Sequence, residues 1–146
     1  MKILFVCIEN SCRSQIAEGF ARNVIATPHI TYYDETLRRG LYAVEAISVY
    51  SAGSKPSGVI NPMAVDVMKE KGIDISNQKS KGLDALPRGD FDIVVTMGCG
   101  DECPSISARK RIDWRIKDPK GASIEVFREV RDEIEKRVLE LFSFAK

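Results

Sequence analysis

The hydrophobic positions fall into short solid runs and longer periodic stretches, which alternate along the chain. Ile3-Leu4-Phe5-Val6 is a solid apolar run of strand length, closed by Cys7. From Ser14 to about Ala26 the apolar positions Ile16, Ala17, Phe20 and Val24 recur at helical spacing instead. Ile47 to Ser51 reads as a second strand, followed by the turn-rich Ala52-Gly53-Ser54-Lys55-Pro56-Ser57-Gly58. Asn61-Pro62 has the form of an N-cap followed by proline at the first helical position, opening a helix to about Lys71 with Gly72 as its stop. Ser80 to Leu86 predicts a short helix and Asp92-Ile93-Val94-Val95-Thr96-Met97 a buried strand. The alternation Ile112, Trp114, Ile116 predicts a half-buried fourth strand. The last element is the clearest: Ser123 as cap, then Phe127, Val130, Ile134, Val138, Leu141 and Phe142 at spacings of three and four. Met63, Met68 and Met97 read as core filler.

Strands separated by helical segments predict an α/β fold, a single domain with a four-stranded parallel sheet, right-handed crossovers and helices on both faces. In such sheets ligands lie beyond the C-terminal ends of the strands. Cys7, Ser51, Cys99 and Asp118 end or follow the four predicted strands, so all the candidate chemistry lands on one edge. The domain spans residues 1–146, with an extended insertion at about 27–48. That stretch is long for a connection; Glu35 to Arg39 fits one helical turn, and His29, the one histidine, carries no role there.

Composition narrows the partners. With 22 basic against 21 acidic side chains in 146 residues the net charge is +1, so no global field recruits nucleic acid and any anion must be bound locally. The N-terminal apolar run is too short for a signal-peptide core and meets Glu9, and no run approaches the roughly 18 apolar residues of a membrane span. The expectation is a cytoplasmic protein without a membrane partner. In that compartment, four cysteines read as catalytic, redox-active or metal-binding rather than as a disulfide framework.

The chemistry concentrates in Cys7-Ile8-Glu9-Asn10-Ser11-Cys12-Arg13-Ser14, between the first strand and the first helix. Backbone N–H groups curling toward one point at a helix start form a nest for a tetrahedral oxyanion, and Arg13 can add a bidentate fork. The same field favours a thiolate, so Cys7 reads as a nucleophile beside a bound anion, with Ser14 as a hydroxyl donor to it. The plainer reading, a buried cysteine and a surface arginine, fits so polar a loop less well. Glu9 places a negative charge beside this anion site and is expected to point outward. Farther on, Gly98-Cys99-Gly100-Asp101-Glu102-Cys103-Pro104 carries two thiols close enough to pair, in a stretch that glycine lets bend. With only the distant Cys7 and Cys12 to complete a tetrahedron, this pair matches zinc-site spacing poorly. Asp118-Pro119 is either an ordinary turn or, above an anion site, a general acid.

C-x5-R-S after an N-terminal strand, together with Tyr50-Ser51-Ala52-Gly53, Ile73-Asp74-Ile75-Ser76 and Asp118-Pro119, resembles the low-molecular-weight protein tyrosine phosphatase fold. Cys99 and Cys103 make the chain similar, within that fold, to the thiol-coupled arsenate reductases. The resemblance covers nearly the whole chain and implies that Cys7 attacks arsenate held by the loop and Arg13, while Asp118 protonates the departing oxygen. It further implies that Cys99 attacks Cys7 to release arsenite, and that Cys103 then draws the disulfide onto Cys99–Cys103 for a thioredoxin-like reductant. A glutaredoxin or a low-molecular-weight thiol remains open as the donor. No cofactor is required; some arsenate reductases bring a potassium ion, here near Asn10, Glu18, Ser51 and Asp74. Cys12 reads as a packing or accessory thiol. Two other functions compete: a phosphatase using Cys7, Arg13 and Asp118 with idle loop cysteines, and a non-catalytic redox-sensing oxyanion-binding module, which would have no use for Asp118.

Overall fold

A computed structural model describes residues 1–26, 47–98 and 106–144 of the chain. Strands β1 (Lys2–Cys7), β2 (Ser48–Gly53), β3 (Phe91–Thr96) and β4 (Ala108–Asp113) form one parallel sheet in the order β2-β1-β3-β4. The described α-helices are α1 (Arg13–Ala26), α2 (Pro62–Lys69) and α3 (Ile124–Phe144). A 3-10 turn covers Leu83–Ala85. Most of the 27–48 insertion, including His29, lies outside the described residues, as do Cys99 and Cys103.

β1 is central, which is why its sequence is solidly apolar rather than alternating. Ile3, Phe5 and Cys7 face a core built with Ile16 and Phe20 of α1, Val67 and Met68 of α2, and Phe127 and Ile134 of α3. Leu4 and Val6 face the other way, against Ala52, Phe91 and Val94, with Leu83 and Leu86 packed over them. The sheet thus has helical cover on both faces, unequally: the α-helices on one, the 3-10 turn on the other. Burying each large apolar side chain contributes about 1.5–3 kcal/mol, so most of the stability rests on the face that α1, α2 and α3 share.

Three boundaries differ from the sequence expectation, each for a local reason. β4 comes earlier than the Ile112-Trp114-Ile116 alternation indicates. It is an edge strand paired only with β3, so Arg109, Lys110 and Arg111 stay exposed and mask its strand character. The alternation marks the chain leaving the ladder: Trp114 donates to the Thr96 carbonyl at 2.8 Å and packs its ring 5.8 Å from that of Phe5. β2 runs on to Gly53, paired with Cys7, because the turn-rich composition begins before the ladder ends. The predicted helix over Ser80–Leu86 shrinks to one turn because Lys81 bonds elsewhere. Its N–H goes to Asn10 Oδ1 at 2.9 Å and its carbonyl accepts from Gly53 N at 2.9 Å. α2 starts as expected, with Asn61 Oδ1 accepting from the Met63 N–H at 2.9 Å ahead of Pro62.

Candidate active site

The β1–α1 loop takes its shape from where its carbonyls go. Cys7 O accepts from Ser54 N (3.3 Å), Ile8 O from Lys55 N (2.8 Å), Glu9 O from Ser57 N (3.0 Å) and Ser80 Oγ (3.0 Å), Asn10 O from Gln15 Nε2 (3.1 Å), and Ser11 O from Asn61 N (3.0 Å). Five consecutive carbonyls are thus engaged by other groups, which favours a loop whose amide N–H groups are left for an oxyanion. Gly53 makes this possible. A Cβ there would stand 2.5 Å from Ile8 O and 2.8 Å from Asn10 N, so only glycine lets the end of β2 lie against the loop. Asn10 takes the left-handed conformation at φ 51°, which asparagine tolerates better than most residues.

Hydrogen bonds donated in both directions from the Asn10 amide link a buried carboxylate to the Cys7 sulfur. Glu18, almost wholly buried, accepts from the Ser51 hydroxyl at 2.7 Å on Oε2. Having given its hydrogen away, Ser51 Oγ accepts from Asn10 Nδ2 at 3.0 Å. The second hydrogen of that amide goes to Ser14 Oγ at 2.8 Å, which leaves the Ser14 hydrogen for Cys7 Sγ, also 2.8 Å away. The Asn10 N–H adds a second donor to that sulfur at 3.2 Å. Asn10 Oδ1 is filled by Gln15 Nε2 (2.8 Å) and Lys81 N (2.9 Å), so the amide cannot turn over without losing bonds at both ends.

The potassium ligand set is a poor fit to these residues. Lys81 Nζ stands 3.3 Å from Ser51 Oγ and 3.8 Å from Glu18 Oε2, with Arg22 Nη2 2.8 Å from Glu18 Oε1, so the chain supplies its own cations there. Burial lowers the Lys81 ammonium from its ordinary range, against the pull of Glu18. Asn10 directs its amide hydrogens, not its carbonyl oxygen, toward Ser51, and exposed Asp74 accepts from Ser76 N at 2.9 Å. Among the described residues no cluster of three or more His, Cys, Asp or Glu side chains could hold a metal ion.

Arg13 is buried and anchored from behind: Nη1 donates to the carbonyls of Met97 and Ile116, the latter at 3.0 Å. Its Nη2 lies 3.6 Å from Asp118 Oδ2. Asp118 comes from the β4–α3 loop, over a buried Pro119, and its Oδ1 accepts from Lys120 N at 3.1 Å. Glu9 is only partly exposed and is paired: its Oε1 lies 2.6 Å from Lys120 Nζ, and that bond raises the Lys120 ammonium above its ordinary range. Cys12 is buried, and burial pushes its thiol up to about 11 despite the hydrogen bond from Ser11. Cys7, Asn10, Arg13, Ser14 and Asp118 are therefore brought together, whereas Cys99 and Cys103 lie outside the described residues. Gln15, Lys81 and Lys120 were not singled out by sequence reasoning, whereas Gly53 entered it within the Tyr50-Ser51-Ala52-Gly53 motif. Of the three, only Lys120 had a signal, its place two residues after Asp118.

Comparison with known proteins agrees with this geometry. The family model for the low molecular weight phosphotyrosine protein phosphatase matches residues 2–146, and the chain belongs to that family. Within it, the chain is 40% identical over 145 residues to a glutaredoxin arsenate reductase of Synechocystis sp., covering 97% of this chain and 96% of the relative. The solved structure of an arsenate reductase in the phosphate binding state superposes with a TM-score of 0.79 at 36% identity, over 99% of this chain and 98% of that one. A thioredoxin-dependent arsenate reductase of Corynebacterium glutamicum superposes at 0.66 and 31% identity, over 97% of this chain and 60% of that one.

Proposed function

We propose that this protein reduces arsenate to arsenite by a thiol relay. The observation that carries the reading is the Cys7 sulfur, held by Ser14 and Asn10 in a loop whose carbonyls are bonded to other groups, with Arg13 of the same loop 3.6 Å from Asp118. Cys7 thiolate attacks arsenic, and an oxygen leaves as water after taking a proton from Asp118, giving a Cys7 thiol-arsenate adduct. Cys99 then attacks the Cys7 sulfur. The sulfur–arsenic electron pair stays with arsenic, which leaves as arsenite, two electrons richer, while Cys7 and Cys99 form a disulfide. Cys103 attacks Cys99, freeing Cys7 and moving the disulfide to Cys99–Cys103.

An external dithiol of the thioredoxin or glutaredoxin class returns the two electrons. The named donors of the two relatives support both classes and do not choose between them. Such a cycle needs a thiol-reducing compartment, which the cytoplasm provides. No described helix is long and apolar enough to cross a membrane. Potassium has no part in this reading, and what supports leaving it out is the position of Lys81 between Ser51 and Glu18.

The test is a single turnover: fully reduced protein, arsenate without reductant, acid quench, and a disulfide map by peptide mass spectrometry. The expected result is stoichiometric arsenite with a Cys99–Cys103 bond that forms only when arsenate is added. Four reduced cysteines and no arsenite would sink the relay and favour phosphatase chemistry.

A further inference from the structure

We propose that Glu9 and Lys120 are positioning residues that strap the β4–α3 loop onto the anion loop and so hold Asp118 at its working distance. The inference rests on the reading of Asp118 as the proton donor. Lys120 is bonded at both of its ends: its N–H to Asp118 Oδ1 at 3.1 Å and its Nζ to Glu9 Oε1 at 2.6 Å. Glu9 is a fixed anchor, since its own carbonyl is held by Ser57 N and Ser80 Oγ, each at 3.0 Å. Asp118 is the less tightly held partner. Its side chain is 49% exposed, and its other oxygen stands 3.6 Å from Arg13 Nη2, too far for a tight pair. Besides the strap, the loop is held by buried Pro119, whose carbonyl accepts from Ala122 N at 2.9 Å, and by the Ile116 carbonyl on Arg13, neither of which bonds the carboxyl itself.

The strap can be separated from a simple effect of charge. Glu9→Gln removes a negative charge beside the anion site and Lys120→Met removes a positive one, so a field effect would shift the half-saturating arsenate concentration in opposite directions. Loss of a strap would slow the chemical step in both. The measurement is the single-turnover rate of arsenite release by reduced protein over arsenate concentrations up to saturation, for E9Q, K120M, K120R and the charge swap E9K/K120E, each also in a D118N background.

The expected result is a roughly 3- to 5-fold slowing in E9Q and in K120M, the scale of a partly exposed ion pair, with half-saturation moved less than about 2-fold. K120R and the swap restore the rate, and neither single variant slows D118N further, because the strap acts through Asp118. Unchanged rates in E9Q and K120M, opposite shifts in half-saturation, or additive slowing in D118N would each overturn the strap. If D118N itself keeps the full rate, the acid reading fails, and the strap with it; if D118N is slow but E9Q and K120M are not, only the strap fails.

Discussion

Two loops meet through the Arg13–Asp118 and Glu9–Lys120 pairs, and they are built in opposite ways. In the β1–α1 loop, every carbonyl from Cys7 to Ser11 is bonded to a neighbouring segment or side chain, and Asn10 and Ser14 are wholly buried. In the β4–α3 loop, Asp118 keeps about half its side chain in solvent and hangs on one backbone N–H, a distant arginine and the bridge through Lys120. The difference follows from the two tasks. Groups that stabilise a developing charge work best when fixed beforehand, so that no reorganisation is needed at the moment of reaction. A proton donor must approach the leaving oxygen and then let product out, which a fully packed loop would prevent.

Breaking one loop and then the other should give different signatures. Cys7→Ser is expected to lower arsenite release by at least about 10³-fold, because no other described thiol is placed to attack, while the smaller loss in Asp118→Asn, on the order of 10²-fold, leaves the oxyanion pocket formed. Protection of Cys7 from alkylation by inorganic phosphate reads out that pocket: Asp118→Asn should keep the protection, and Arg13→Ala should lose it. Gly53→Ala attacks the rigid loop from outside. Its Cβ would have to displace the Ile8 carbonyl, so urea unfolding should show a loss of about 1–3 kcal/mol together with weaker phosphate protection.

The smallest effect sharpens the comparison inside the rigid loop, where two thiols lie five residues apart. The Cys12 pKa is raised from 9.0 to about 11, so the unfolded chain ionises this thiol first as the solution becomes alkaline. Its contribution to stability is complete below about pH 9 and is lost as pH rises toward 11, at up to about 1.4 kcal/mol per pH unit. Cys12→Ala should flatten that alkaline decline in urea unfolding between pH 8 and 10.5. At pH 8, iodoacetamide should label Cys7 of the native protein well before Cys12.

Much of this was legible from local pattern. A solid apolar run, a thiol, five residues and an arginine, then helical spacing, place nucleophile and cation in one loop, because residues so near in sequence have few ways to be far apart. The alternation of strands and helices puts Asp118 on the same edge as Cys7, since parallel strands share their C-terminal ends. The fourth strand was misplaced for a reason that pattern cannot reveal: an edge strand need not be apolar, and its basic residues read as a loop. The potassium ligand set has a similar difficulty: residue types suited to a cation do not show where a lysine from elsewhere in the chain lies, and Lys81 Nζ stands 3.3 Å from Ser51 Oγ.

By itself the sequence determined the element order, the anion loop and the identity of the groups that face it, all consequences of short-range geometry. Tertiary structure decided how those groups are held. The bonds from Lys81 to Asn10 and from Lys120 to Glu9 join residues 71 and 111 positions apart. At such separations the partner of a side chain is chosen by packing of the whole sheet edge, where buried donors and acceptors must all be matched, and no spacing rule along the chain records that choice.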